Sequence, residues 1–285
     1  MSNKIIQLPT VSTGEIIKRP SQHCKTPYVA DVSLESGVMI LGHSPSLGCC
    51  GLADKGASII MTKLEERKKQ TCSHRIELAV YSDDNNNSVV VGINPKLGET
   101  IAEECLKQNY ILNLINIQTY KREVTILNSR FDFAGVDSNG KSFVMEIKNV
   151  PLADFVDVPK KERKKYADSF KDKDFNDKIA YFPDGYRKQS TDVVSPRALK
   201  HIQELEEISI NSHGKVRAIL CFIVQRDDVS HFQTSNIDLT YKAAVYKAHQ
   251  NGVEIKTIQV KWNTCGECYF VRNDLPISLK NGEFI

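Results

Sequence analysis

No stretch of the chain approaches the ~20 consecutive apolar residues that carry a helix across a bilayer. The opening MSNKIIQLPTVST likewise lacks the apolar core of a secretory signal. A membrane partner is therefore excluded, and the expected location is the cytoplasm, or the nucleus in a host that has one. The eight cysteines are too few and too scattered over 285 residues to form a disulfide framework. Reduced thiols are expected. No internal repeat is present. Charge of neither sign dominates, since 38 basic residues face 35 acidic ones for a net +3. That balance permits nucleic-acid binding without demonstrating it, so the location of charge has to decide.

What is there is ordinary globular material, 41% hydrophobic and 26% charged, which argues against long disorder and against a fibrous protein. The length suits two modest domains. From Ile16 to about Val91 five short β-rich runs, VADVSL, GVMILGH, ASIIMTK, RIELAVYS and SVVVGI, are separated by Gly-, Pro- and Asn-rich turns. This spacing predicts a small closed barrel, with a domain boundary near residue 92. Residues 18–91 are expected to bind oligonucleotides weakly through exposed Lys18, Arg19, Lys25 and Lys63 and through aromatic stacking. Beyond the boundary, NPKLG closes the strand run and TIAEECLKQN reads as a helix capped by Thr100. Strands YKREVTIL, RFDFAGV and SFVMEIKNV follow. The charged segment 157–178 is either an exposed helix or a mobile insertion. Ser195 and Pro196 open a helix, RAILCFIVQ makes a buried central strand, LTYKAAVYKAHQNG is a helix stopped at Gly252, and VEIKTIQVKW is a strand. Residues 93–285 thus predict an α/β sheet covered by helices.

The chemistry concentrates in RFDFAGVDSNGKSFVMEIKNV. A three-residue loop Ser138-Asn139-Gly140 pairs Asp137 with Lys141 and sets Asp132 opposite Glu146 and Arg130 opposite Lys148. Period-two alternation then puts those four charged residues on one face, and Phe131, Phe133, Met145 and Ile147 on the other. A two-residue loop would separate the carboxylates onto opposite faces. In the favoured register they lie within ~5.5 Å at Cα, close enough to share a hard cation such as Mg²⁺ or Mn²⁺ through oxygens at ~2.1 Å. Lys148 could orient water or stabilise the phosphorane charge, and Glu123 could add a third acid. The competing reading is a solvated sheet face with cross-strand ion pairs.

D…ExK on adjoining strands resembles the PD-(D/E)xK nuclease signature. KRPSQHCKTPYVADVSL, HSPSLGCCGL, VGINPKLG, SRFDF, MEIKNVPL, FPDG, LKHIQEL, ILCFIVQRDD and IDLTYKAAVYKAHQNGVE occur in the order of the sugar fermentation stimulation protein (SfsA) family. The chain is similar to that family from about residue 18 to 258. The resemblance implies an N-terminal OB-like barrel joined to a PD-(D/E)xK nuclease-like α/β domain, and binding of DNA without clear sequence preference. It also implies Asp132 and Glu146 as metal ligands, Lys148 as the motif lysine and Glu123 as accessory acid; His201, Gln225 and Arg226 fall on matching words. The chain departs from the family at the turn Ser46-Leu47-Gly48, the insertion 157–178, the spacing from Asp184 to His201, and the tail beyond Trp262.

The remaining candidates are weaker. Lys160, Lys161, Arg163, Lys164 and Lys165 form a basic cluster for phosphates or a nuclear address, set against a merely solvated face partly cancelled by Asp168, Asp172, Asp174 and Asp177. Deleting 157–178 is expected to leave the fold intact. Cys265-Gly-Glu-Cys268 has the spacing of half a zinc site, but no second CxxC exists, so two ordinary thiols are expected. Cys49 and Cys50 are assigned to packing and Cys221 to an inert core position. His201 and Gln225 are catalytic candidates, and Arg130 and Arg226 nucleic-acid contacts. The expected function is a metal-dependent nuclease acting on DNA, with RNA and a homodimer also admitted. The alternative is a non-catalytic, sequence-nonspecific DNA-binding regulatory or accessory protein.

Overall fold

A computed structural model describes residues 3–46, 51–68, 70–170, 172–185, 192–280 and 283–285. Leu47 to Cys50 lie outside the described residues. The N-terminal part comprises β1 (Lys4–Gln7), β2 (Val11–Lys18), β3 (Val29–Leu34), β4 (Met39–His43), β5 (Ser58–Lys63), β6 (His74–Ser82) and β7 (Ser88–Gly92). Strands run in the order β4-β3-β2-β5-β6, and a parallel pairing of β4 with β6, Gly42 opposite His74, closes the ring. This is an OB-like five-stranded barrel. Its inward positions, among them Ile16, Ala30, Val32, Ile59, Met61 and Ile76, form one apolar cluster.

The membership of the barrel differs from the sequence expectation. VSTGEIIK carries polar residues and a glycine and gives little β signal, yet it supplies the strand between β3 and β5. A fragment beginning at Lys18 lacks that strand. SVVVG, expected in the ring, instead forms a hairpin on β6 and bridges to the far strand through Val90 and Trp262.

The remainder comprises α1 (Pro95–Lys107), β8 (Thr119–Ile126), β9 (Ser129–Val136), β10 (Ser142–Val150), β11 (Ala153–Asp154), a 3₁₀ segment (Lys160–Phe170), β12 (Lys178–Phe182), α2 (Pro196–Asn211), β13 (Val216–Val224), β14 (Val229–Thr234), α3 (Leu239–Gln250), β15 (Glu254–Trp262), β16 (Glu267–Arg272), β17 (Ile277–Lys280) and β18 (Glu283–Phe284). The apolar run expected as a central strand is β13, parallel to β10 on one side and β15 on the other. Helix α1 packs on one face of this sheet with Met145, Ile147 and Ile219. Helices α2 and α3 share the other face with Leu220, Phe222 and the second sheet, β11-β12-β14-β17-β18. No helix among the described residues is long and apolar enough to cross a membrane.

Helix α1 starts earlier than Thr100. The Asn94 side chain accepts from Lys96 N–H at 3.1 Å, and Pro95 presets the first turn. Asn94 is itself held by the buried Glu77 of the barrel at 2.6 Å, so the cap couples the two halves of the chain. Thr100 donates to the Lys96 carbonyl instead. Segment 157–178 is a 3₁₀ segment with flanking turns rather than a regular helix. Its 3₁₀ middle buries nothing, but its ends are anchored. Asp157 is buried and accepts from Ser235, Gln233 and the Asn236 N–H, while Lys178 is 2% exposed. The tail after Trp262 completes both sheets, and β16 also pairs with β1. It buries Cys268 and leaves Cys265 exposed, so the CxxC is split between core and solvent.

Gly92 marks the tightest point of the joint. A methyl there would lie 2.2 Å from Gln225 Oε1 and 2.8 Å from Trp262 Nε1. Gly92→Ala is expected to cost about 1–3 kcal/mol, because neither buried polar partner can withdraw without losing its hydrogen bond. Thermal melts of the full chain check this; an unchanged midpoint would show that the joint yields freely.

Candidate functional site

The β9–β10 turn places the acids. Gly140 adopts φ +75°, Gly140 N–H donates to Asp137 O at 3.0 Å, and Asp137 N–H to Lys141 O at 2.9 Å. The three-residue loop fixes a ladder running from Val136 opposite Ser142 to Phe133 opposite Met145. One step further the ladder ends, because the Asp132 carboxylate accepts from the Ile147 N–H at 2.7 Å.

That ending changes the faces. Met145, Ile147 and Phe133 do pack toward α1, but Phe131 packs on the α2 side, its ring 5.8 Å from that of His201. Phe131 and Phe133 therefore do not share a face as strict alternation predicts. Arg130 pairs across β8 with Thr125 rather than opposing Lys148, and its guanidinium meets Glu123 at 3.4 Å with both side chains more than half exposed. Glu123 has φ +53° and is not among the residues lining the cavity at Asp132 and Glu146. Two further acids do line it, Asp184 and the half-buried Glu99 one turn into α1, and the Glu99 charge helps raise the proton affinity of Asp132.

Glu146 and Lys148 are not a solvated pair. Glu146 is 3% exposed, and its Oε1 accepts from both Lys148 Nζ and His201 Nδ1. The other oxygen, Oε2, is buried with no hydrogen-bond partner. An orphaned buried carboxylate oxygen is expensive unless a ligand or ion completes it. The two carboxyls are pushed apart in proton affinity. Burial, reinforced by the Glu146 charge, lifts Asp132 to about 7. Burial also pushes Glu146 upward, but Lys148 and His201 outweigh it and hold the group below the usual glutamate range. Asp132 is therefore the member whose titration is moved up toward neutrality, and Glu146 the one held ionised.

A cavity of about 590 Å³ opens over these groups, lined by Asp132, Glu146, Lys148 and Glu99 together with Asn149, Ser195 and Arg197. Asn149 is oriented by Gln225, which donates to its Oδ1 at 2.6 Å and accepts from Trp262 Nε1 at 2.8 Å. Gln225 is fully buried and outside the cavity lining, so it positions another side chain. His201 is buried behind Glu146 in the same supporting manner. Arg226 is 2% exposed and grips Asp228 through two bonds of 2.6 Å. Arg197 belongs to none of the sequence motifs, although it follows the Ser195-Pro196 helix start directly.

Of the other basic candidates, Lys18, Lys25, Lys161 and Lys164 are exposed. Lys63 is exposed and lies 3.7 Å from Glu66. Arg19 is used structurally, since its guanidinium holds the carbonyls of Pro27, Ala53 and Ser46. Lys160 pairs with Asp54 at 3.2 Å, and Arg163 with Asp154 and Asp184 at 3.2 and 3.5 Å. The basic cluster thus divides into surface lysines and an internal arginine.

Among the described residues no three His, Cys, Asp or Glu side chains already converge to hold a metal ion. The donor chemistry nevertheless fits a hard divalent cation. Asp132 and Glu146 offer carboxylate oxygens, Glu146 Oε2 is unsatisfied, and the burial and neighbouring Glu146 charge that lift the proton affinity of Asp132 are what a cation placed between the two would offset.

Residues 96–266 match the sequence profile described as the sugar fermentation stimulation protein RE domain. The chain belongs to the sugar fermentation stimulation protein family. The homologue from Citrifermentans bemidjiense is 31% identical over 245 residues, 85% of this chain and 87% of that protein. The Brucella anthropi homologue is 28% identical across 88% of this chain and 90% of its own. Pyrococcus furiosus SfsA, solved in complex with Ca²⁺, superposes with a TM-score of 0.72 at 17% identity, covering 96% of this chain and 99% of that one. The barrel and α/β arrangement are thus those of a solved family member.

The lifted Asp132 has a consequence for stability. A carboxyl whose folded proton affinity exceeds its unfolded value contributes stability at low pH, and that contribution is lost as pH rises toward 7. Asp132→Asn keeps an acceptor for Ile147 N–H and removes the titration. Its melting midpoint is expected to exceed wild type at pH 8 in metal-free buffer, with the difference vanishing by pH 4. Equal offsets at both pH values would contradict the assignment.

Proposed function

We propose that this protein binds DNA and cleaves phosphodiester bonds with a divalent cation, Mg²⁺ or Mn²⁺, held by Asp132 and Glu146. The observation that carries the reading is the unsatisfied Glu146 Oε2, buried next to Lys148 and bordering the same cavity as Asp132. The Ca²⁺ in the Pyrococcus furiosus relative's structure supports use of a hard cation. When bound, such an ion supplies an activated water and neutralises charge on the phosphate.

The chain's own residues do the rest. His201 and Lys148 keep Glu146 ionised and fix its carboxylate plane. Lys148, adjacent to the cavity, orients the attacking water or stabilises the phosphorane charge. Arg197, exposed at the start of α2, is placed to take a phosphate oxygen. The exposed Lys18, Lys25, Lys161 and Lys164 supply nonspecific backbone attraction, in the cytoplasm and without a membrane partner.

A second reading, a DNA-binding accessory protein that does not cleave, draws on one observation: Glu146 Oε1 already accepts from two donors, leaving a single oxygen for an ion. One experiment separates the readings. Plasmid, linear and single-stranded DNA are incubated with and without Mg²⁺ or Mn²⁺. Cation-dependent cleavage lost in Lys148→Met, with cation binding retained, supports the nuclease. Retention of DNA with no cleavage under any cation selects the accessory protein, and absence of DNA binding defeats both.

A further inference from the structure

A second cavity, of about 470 Å³, lies where the barrel meets the small sheet. It shares Leu152 and Tyr181 with the Asp132–Glu146 cavity, so one thin wall divides the two. Four basic side chains line it, Lys55, Arg163, Lys178 and Arg226, against the single carboxylate of Asp154.

With their paired carboxylates Asp184 and Asp228 counted beside Asp154, the four cations face three anions, an excess of one positive charge. Lys178 and Arg226 are each 2% exposed, yet both are neutralised by one carboxylate, Asp228, at 2.9 Å and at two bonds of 2.6 Å. Asp154 is engaged by Arg163 at 3.2 Å. Asp83, the other acid whose charge reaches Lys178, is occupied in its own loop by Asn85 and Asn87. Aromatic faces take up part of the excess: the Lys178 ammonium lies 3.3 Å from the Phe175 ring centre, with Phe155 and Tyr81 at 5.2 and 5.6 Å. Lys178 Nζ also donates to the Phe175 carbonyl and Arg226 to the Pro151 carbonyl at 3.3 Å, but these acceptors carry no full charge, and the excess positive charge of two cations on one anion is what a further anion in the cavity would offset. Lys55 stands exposed among the lining residues, where it can meet that anion.

We propose that this seam cavity is a phosphate-binding subsite, filled by a backbone phosphate of the same nucleic-acid strand that reaches Asp132 and Glu146. Its place on the strand rests on the function proposed above; its taste for phosphate rests on the four cations alone. Arg163 lines the seam cavity and reaches the edge of the other, since its guanidinium contacts Asp154 of the first and Asp184 of the second. A strand crossing the shared wall would therefore pass the Arg163 guanidinium on its way between the pockets.

The test uses the full-length protein and two variants, Lys55→Glu and Lys178→Met, the second retaining the aromatic packing and leaving Arg226 with Asp228 as a neutral pair. Binding of a fluorescent single-stranded oligonucleotide is followed by anisotropy over a salt series, and binding of inorganic pyrophosphate by thermal shift. Both variants are expected to weaken oligonucleotide binding about tenfold, and Lys55→Glu to lower the salt slope by about one. Both should also lose the pyrophosphate shift. If wild type binds the oligonucleotide and Lys55→Glu binds it with the same affinity and slope, the subsite is overturned while the DNA-binding reading stands. If wild type binds pyrophosphate in a Lys55-dependent way but no oligonucleotide, the phosphate subsite stands and the DNA-binding reading falls. No pyrophosphate shift and no variant effect overturn the proposal outright. Lys55→Glu decides the case should Lys178→Met fail to fold.

Discussion

Glu146→Gln is expected to abolish divalent-cation binding and all cleavage while changing DNA affinity by less than about threefold, because affinity is spread over many lysines. Titration calorimetry with Mn²⁺ and a cleavage assay read the two losses together. The same substitution should reduce stability. Lys148 and His201 both donate to Glu146 Oε1, and neither has much access to water. An amide in that place leaves a buried ammonium without its counter-charge, at a cost of roughly 3 kcal/mol. Lys148→Met reverses the pattern, retaining the cation and losing turnover. A Glu146→Gln protein that still binds Mn²⁺ as wild type does would move the cation away from the β9–β10 hairpin.

Asp228→Asn is expected to be the most destabilising single polar substitution in the chain, at about 3–5 kcal/mol, since it strands Arg226 and Lys178 together in the interior. Burial raises the proton affinity of Asp228, but the hydrogen bonds and charges of Arg226 and Lys178 more than reverse this and hold it below the ordinary range. Its stabilising contribution is therefore complete above the unfolded carboxyl value and is lost as pH falls through the lower folded value. Urea unfolding at pH 7 measures the loss. Adding Lys178→Met to Asp228→Asn removes one of the two stranded cations and should recover part of it, a coupling that a double-mutant cycle reads directly. Additive effects of the two changes would mean that the cations do not share Asp228.

How much of this was legible in the sequence depends on how local each feature is. The hairpin register follows from one glycine and two alternating strands, and brings Asp132 into hydrogen-bond contact with the Ile147 backbone next to Glu146. Alternation failed where the backbone stops alternating, at the positive φ of Glu123 and at the end of the β9–β10 ladder, so Glu123 and Arg130 were drawn into a site they do not join. A helix begun at Thr100 leaves Glu99 outside it, and so outside the site. Asn94-Pro95 is a capping pattern readable in the sequence, and it puts Glu99 one turn into α1, toward the hairpin. The polar strand VSTGEIIK and the short KIIQ carry too little β signal to be read locally, and only their partners make them strands. The seam cavity draws on segments around residues 55, 81, 154, 163, 178 and 226, and no window of sequence contains it.

The pairing of β1 with β16 sets an order of events during synthesis. Lys4 meets Glu267 across 263 positions of chain, whereas the five barrel strands all lie between Val11 and Ser82. The ring can close while the ribosome is still translating the α/β portion, because the pairings of its five strands with one another lie within that span. The first residues cannot settle then. They wait beside a finished barrel until β16 emerges, with the backbone edge of Lys4–Gln7 open to other strands for most of translation. Such an edge invites pairing with a neighbouring nascent chain. Lys4 at its start places a charge on that edge, the usual guard against association of this kind.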